Sequence, residues 1–114
     1  MNDPKLIRTI RLVIELLVSK NYDGIETLTL SRRLTSQEMR EVVQDYGVTL
    51  IFPPDGVLEN PDVIEVRGAT PRELDVRVGL WTLEEGQSDL TLEMTLTESE
   101  NEIYDVQIDG IHVL

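Results

Sequence analysis

The chain has no cysteine. That excludes a disulfide framework, a thiolate metal site and a cysteine nucleophile, and it suits a reducing compartment. There is one histidine, His112, and one tryptophan, Trp81. A metal needs more ligands than a single imidazole, so His112, near Asp109 at a strand end, reads as structural, and neither a metal nor another cofactor is expected. Long apolar runs are missing too. The longest, Leu12 to Val18, is interrupted by Glu15 and is far too short to cross a bilayer. The N-terminus lacks the order of a signal peptide, in which a charged start leads into an apolar run and a small-residue cleavage site. Together these absences predict a cytoplasmic protein that does not enter a membrane.

Cations are scarce where the chain is most acidic. The net charge is −12 over 114 residues. Residues 1–57 carry seven Lys/Arg against eight Asp/Glu, a net of −1, whereas residues 58–114 carry three arginines against fourteen carboxylates, a net of −11. Affinity for nucleic acid rests on basic contacts to phosphate, so nucleic-acid partners are disfavoured, as are anionic membrane surfaces. A basic protein partner fits this charge. Solubility alone would also account for a surplus of carboxylates.

The most informative stretch runs from Leu74 to Leu96. Leu74, Val76, Val78 and Leu80 share one parity, and Leu90, Leu92, Met94 and Leu96 share another. A period of two predicts two strands with one dry and one polar face, joined by an acidic turn over Trp81–Asp89. Upstream, Asp3-Pro4 caps a helix whose apolar stripe runs through Leu6, Ile10, Val13, Ile14 and Leu17 and ends near Ser19–Asn21. Tyr22 to Leu28 predicts a short second helix, weakened by Gly24. Thr29 to Leu34 reads as a loop or short strand. Thr35 and Glu38 form a capping-box signature for a third helix through Tyr46, stopped by Gly47. Val48–Phe52 is β-rich, Pro53–Gly56 and Asn60–Asp62 are turns, and Val63–Arg67 is a short strand of ambiguous sidedness. The last strand spans Ile103 to Leu114. Tyr104, Val106 and Ile108 share a face, and Asp109-Gly110 marks a bulge after which Ile111 and Val113 take over the apolar parity. Three helices followed by an antiparallel sheet of four to five strands is the α+β layout, in one domain over residues 1–114.

The segment Trp81-Thr82-Leu83-Glu84-Glu85-Gly86-Gln87-Ser88-Asp89-Leu90-Thr91-Leu92-Glu93 and the ending Ile108-Asp109-Gly110-Ile111-His112-Val113-Leu114 resemble a small bacterial family of unknown function. The order of elements is similar to that of the nuclear-transport-factor-2-like, or cystatin-like, superfamily, in which helices cover a curved sheet to form a cone. The resemblance implies that fold. It transfers no catalytic residue, because the cone hosts enzymes, ligand binders and interaction modules alike.

An enzyme of that layout would need an acid or base on inward strand positions, and the inward parity is apolar apart from Tyr104. Tyr22 and Tyr46 are phenols of the kind a core satisfies with one hydrogen bond. No catalytic residue is assigned. The opposite parity carries Asp75, Arg77, Glu93, Asp105 and Gln107 with several threonines, and Trp81 stands among them as an aromatic anchor. The candidate partner-binding residues are therefore Trp81, Glu84, Glu85, Asp89, Glu93 and Asp105. A solvated face of cross-strand pairs is the plainer alternative. Glu84, Glu85 and Asp89 lack the spacing of a calcium loop, and Ser88 lacks the surroundings of an activated nucleophile. Arg32 and Arg33 are expected to pair with local acids. The resulting expectation is a non-enzymatic protein-binding module, whose concrete version is an immunity protein masking a basic toxin domain. A small-molecule binder or enzyme using the cone, and a homodimer paired through the sheet around Trp81, are the alternatives.

Overall fold

The structure, a computed structural model, describes residues 3–30 and 32–113. Helix α1 spans Pro4–Val18. The Asp3 carboxylate accepts from the amides of Lys5 and Leu6, satisfying two of the four N–H groups that a helix start leaves unpaired. Leu6, Ile10, Val13, Ile14 and Leu17 are buried along one stripe, as their spacing requires. Helix α2, Tyr22–Thr29, runs one residue further than its apolar pattern predicts. Gly24 is tolerated there because Asn21 caps the helix through the Gly24 amide at 3.0 Å. Helix α3, Ser36–Tyr46, opens on the expected capping box: Glu38 N donates to Thr35 Oγ1 and Thr35 N to Glu38 Oε1, both at 3.1 Å. Gly47, at φ 78°, ends it in the left-handed conformation.

Five strands follow: β1 (Leu50–Ile51), β2 (Asp62–Glu65), β3 (Glu73–Thr82), β4 (Gly86–Thr97) and β5 (Asp105–Val113), with a turn of 3₁₀ helix at Val57–Glu59. All pairings are antiparallel. Strands β3, β4 and β5 form the meander, while β1 and β2 both pair with the outer side of β3. The sheet is curved and unclosed, the class is α+β, and the three helices lie on one face.

The core forms where the alternation predicts it. Leu74 faces Leu96, Val76 faces Met94 and Val78 faces Leu92, and each is buried. Tyr104, Val106 and Ile108 extend the same layer. Each fully buried leucine contributes roughly 1.5–3 kcal/mol relative to exposure. The buried polar side chains among the described residues are Thr9, Thr29, Thr82 and Ser88. Each hydroxyl bonds to backbone: Thr9 Oγ1 donates to Lys5 O, Thr29 Oγ1 to Glu26 O and Ser88 Oγ to Leu80 O, while Thr82 Oγ1 accepts from Glu85 N.

The hairpin turn is shorter than the expected Trp81–Asp89. Strand β3 continues to Thr82 and β4 begins at Gly86, leaving Leu83–Glu85 as the connection, with Gly86 at φ 74°. Two extra residues on β4 are absorbed between Gly79 and Trp81, where the register shifts. The Ser88 hydroxyl donates to Leu80 O at 2.7 Å and accepts from Leu90 N at 3.2 Å, holding this irregularity closed. In β5, Glu93 pairs with Gly110 but Met94 pairs with Ile108, so Asp109 is the bulged residue, as expected. Ile111 is buried beyond it, but Val113 is exposed, and the expected end at Leu114 lies outside the described residues. Within the β-rich run Val48–Phe52 only Leu50 and Ile51 form a strand.

Candidate functional site

The face of the sheet turned away from the helices carries the charged side chains. Asp75, Arg77 and Trp81 come from β3, Glu93 and Thr95 from β4, and Asp105, Gln107, Asp109 and His112 from β5. Alternation places them there: every apolar rung turned inward sends its neighbours out.

Two carboxylates near the middle of this face are held by several partners. Asp109 accepts from Thr95 Oγ1 at 2.6 Å and from Gln107 Nε2 at 2.9 Å, and lies 3.5 Å from Arg33 Nε. Glu93 lies 3.1 Å from Arg77 Nε and 3.3 Å from His112 Nε2. Arg33, Asp75, Arg77, Glu93 and Asp109 surround a depression of about 270 Å³. Arg33 reaches it because the chain between α2 and α3 lies along β5, where Arg33, at φ 68°, bridges to Ile108. Among the described residues the neighbouring Arg32 does not pair with an acid; it donates to the carbonyls of Thr29 and Val106.

Other carboxylates on this side have no such partner. The side-chain carboxylates of Asp62, Glu73, Asp75 and Asp105 make no hydrogen bond or ion pair among the described residues. In the ladder, Asp62 stands opposite Arg77 and Asp105 opposite Thr97.

The six residues singled out from the sequence do not form one patch. Glu93 and Asp105 lie on the outer face. Trp81 sits at its margin, where a depression of about 160 Å³ separates it from Asn60, Pro61 and Asp62. Its indole Nε1 is buried and is the buried side-chain polar atom without a partner among the described residues. Such a group costs about 1–3 kcal/mol when left unpaired. Glu84 belongs to the tip of the hairpin, where its carboxylate accepts from Thr49 N at 2.9 Å and Thr49 Oγ1 at 3.0 Å, chiefly the backbone bond holding its pKa below the usual value. Glu85 and Asp89 lie beside Tyr46 at the end of α3. Desolvation first, and then the Glu85 carboxylate, pushes that phenol up. Glu84 ties the hairpin to Thr49 just before β1 and Glu85 ties it to Tyr46 of α3, while Asp89 meets Tyr46 through its backbone. Sequence spacing groups them with Trp81, but the strand extension to Thr82 and the irregularity at Ser88 separate them. Conversely, Arg33, Thr95 and Asp109 form part of the outer network although they are not among the candidate partner-binding residues, and Arg33 meets an acid as expected. The bulge at Asp109-Gly110 is the sequence signal that points to Asp109, whereas Arg33 meets it only through the fold.

Among the described residues no three of His, Asp and Glu gather to hold a metal ion. No helix among them is long and apolar enough to cross a membrane. The fold therefore defines an α+β domain with a filled inner layer and a charged outer sheet face. Residues 14–114 match the family model of a domain of unknown function, DUF7668, and the chain belongs to that family. No curated protein and no solved structure matches it.

Proposed function

We propose that this chain is a non-enzymatic protein-binding module that presents the outer face of its sheet to a basic partner. The observation that carries the reading is the set of carboxylates Asp62, Glu73, Asp75 and Asp105 on that face, which have no partner among the described residues, within a half of the chain that holds a net of −11. Like charges on one surface repel each other, and a cationic partner relieves that repulsion while being steered in by the field. Trp81 supports the same reading. It is a large aromatic at the rim of the face, and its unpaired N–H gains an acceptor if a partner draws the indole out of its present seat.

The inner face supports the non-enzymatic part. Its buried titratable side chains among the described residues are the phenols of Tyr22 and Tyr104, both with raised pKa, chiefly through desolvation. A cone of the nuclear-transport-factor-2-like kind would need an interior hollow to hold a ligand and an acid or base on it for catalysis, and the leucines, valines and isoleucines packed into one core weigh against both. A basic toxin domain such as a nuclease, neutralised by this protein as an immunity factor, is the concrete form of the proposal.

The test is affinity capture from native lysate at low and high salt, with the parent and with a variant combining Asp75→Asn, Asp105→Asn and Trp81→Ala. The proposal expects a basic partner that is retained at low salt, released at high salt and lost with the variant. A partner indifferent both to salt and to the variant would overturn it.

A further inference from the structure

The sheet is finished differently on its two sides. On the β5 side the α2–α3 connection covers the edge: Arg33 bridges to Ile108, and Arg32 Nη2 donates to Val106 O at 3.1 Å. On the other side β2 is outermost and bare. Its register sets Asp62 opposite Arg77 and Ile64 opposite Asp75, and Val66 N donates to Glu73 O at 2.9 Å in continuation of that ladder. Antiparallel pairs alternate between hydrogen-bonded and non-hydrogen-bonded rungs. Asp62 and Ile64 therefore spend their backbone groups on β3, as Val66 spends its N–H, and the N–H and C=O of Val63 and Glu65 point outward. No described residue bonds to these groups. Ile64 is 65 % exposed.

An open edge is a template for another strand unless something blunts it. Here the local charge decides which strand. From Pro54 to Val66 the chain carries Asp55, Glu59, Asp62 and Glu65 and no lysine or arginine; Glu65 is paired with Arg72 Nε at 2.9 Å, whereas Asp62 has no ion pair among the described residues. A second copy pairing edge to edge would set one acidic edge against another, and its own edge segment brings no cation to Asp62. A segment bearing cations on the side chains that flank Asp62 gains instead.

We propose that the bare edge of β2 is a docking strand for an extended segment of the protein partner with Lys or Arg at alternate positions, bound by main-chain pairing to Val63 and Glu65. This inference rests on the basic-partner reading above and adds where and how that partner is held. Main-chain bonds would supply affinity and the alternating side chains selectivity.

The probe is a capped peptide of alternating lysine and valine, added to ¹⁵N-labelled full-length protein at low salt. The expected result is a shift of the Val63 and Glu65 amides with slowed hydrogen exchange at both. N-methylation of alternate peptide amides, which keeps every charge but removes the donors, should weaken binding by about tenfold or more. Glu65→Pro, which deletes an outward N–H and leaves the β3 ladder intact, should do the same beyond the effect of Glu65→Gln. Equal binding of the N-methylated peptide, or no binding of the parent peptide, overturns edge docking. Shifts confined to Asp75, Glu93 and Asp105 overturn edge docking while leaving the basic-partner reading in place, which the capture experiment judges by itself.

Discussion

The Tyr104 hydroxyl donates to Asp3 Oδ2 at 2.7 Å, while Oδ1 of the same carboxylate caps the first turn of α1. One side chain thus fixes the start of the helical layer to the entry of β5, 101 residues away in sequence. Desolvation and then the Asp3 hydrogen bond push the Tyr104 phenol up to about 12. Burial works to raise Asp3, but the Tyr104 hydroxyl and the two amides outweigh it, leaving its pKa below the ordinary aspartate value. Tyr104→Phe should cost about 1.5–3 kcal/mol in urea unfolding near neutral pH, the range for a hydrogen bond to a charged group. The tyrosine's contribution is fully present below pH 10, its ordinary value, and is lost as the pH rises from 10 through about 12. That of Asp3 is present above the usual carboxylate range and is lost as the pH falls below about 4. The parent should therefore lose stability at both extremes, and Tyr104→Phe should flatten the alkaline limb.

A neighbouring hydroxyl makes a sharper test of hydrogen-bond satisfaction. Thr9 is fully buried; its Oγ1 donates to Lys5 O at 2.8 Å and accepts from Tyr104 N at 3.0 Å. Thr9→Val keeps the shape but strands the Tyr104 amide, and should destabilise by about 1–3 kcal/mol. Thr9→Ser keeps the hydroxyl and should lose clearly less. Equal losses in chemical denaturation would show that the methyl group, not the bond, matters.

Gly110 gives the outer face a local test. A Cβ built on it would stand 2.8 Å from His112 Nδ1, so the half-exposed imidazole must swing away. Gly110→Ala should break the His112–Glu93 contact, seen as altered imidazole resonances, while Arg77 keeps Glu93 in place. Stability should change by less than about 1 kcal/mol, as for other surface rearrangements. A loss of several kcal/mol would mean that the β5 bulge itself had moved.

The acidic face bears on self-association as well. Isologous pairing through it would set carboxylate against carboxylate, so sedimentation at low salt should give a monomer mass for the parent and for Trp81→Ala alike. A dimer that Trp81→Ala dissociates would return the face to the structural-homodimer reading.

How much of this was legible in the chain depends on distance. The caps at Asp3 and Thr35/Glu38 are local four-residue patterns, and each forms as read. The parity of Leu74–Leu96 is equally local and places the dry face correctly. The hairpin turn is shorter than the sequence pattern predicts because Thr82 and Ser88, though polar, belong to the strands. Both nevertheless keep the inward parity, since each satisfies backbone groups at the turn or the register shift. The placing of β1 and β2 along one side of β3, and the arrival of Arg33 at Asp109, depend on chain segments far apart in sequence, for which no periodicity exists. For the same reason Glu84, Glu85 and Asp89 read as one patch with Glu93, although the first three serve the hairpin and α3.

The decisive measurement is the dissociation constant of the captured partner as a function of ionic strength, for Asp75→Lys on the outer sheet face and Glu15→Lys on the exposed side of α1. Both make the same change in net charge. If the sheet face is the contact surface, Asp75→Lys weakens binding at least about tenfold and flattens the salt dependence, while Glu15→Lys leaves both close to the parent. Equal effects of the two substitutions, or a larger one from Glu15→Lys, would contradict it.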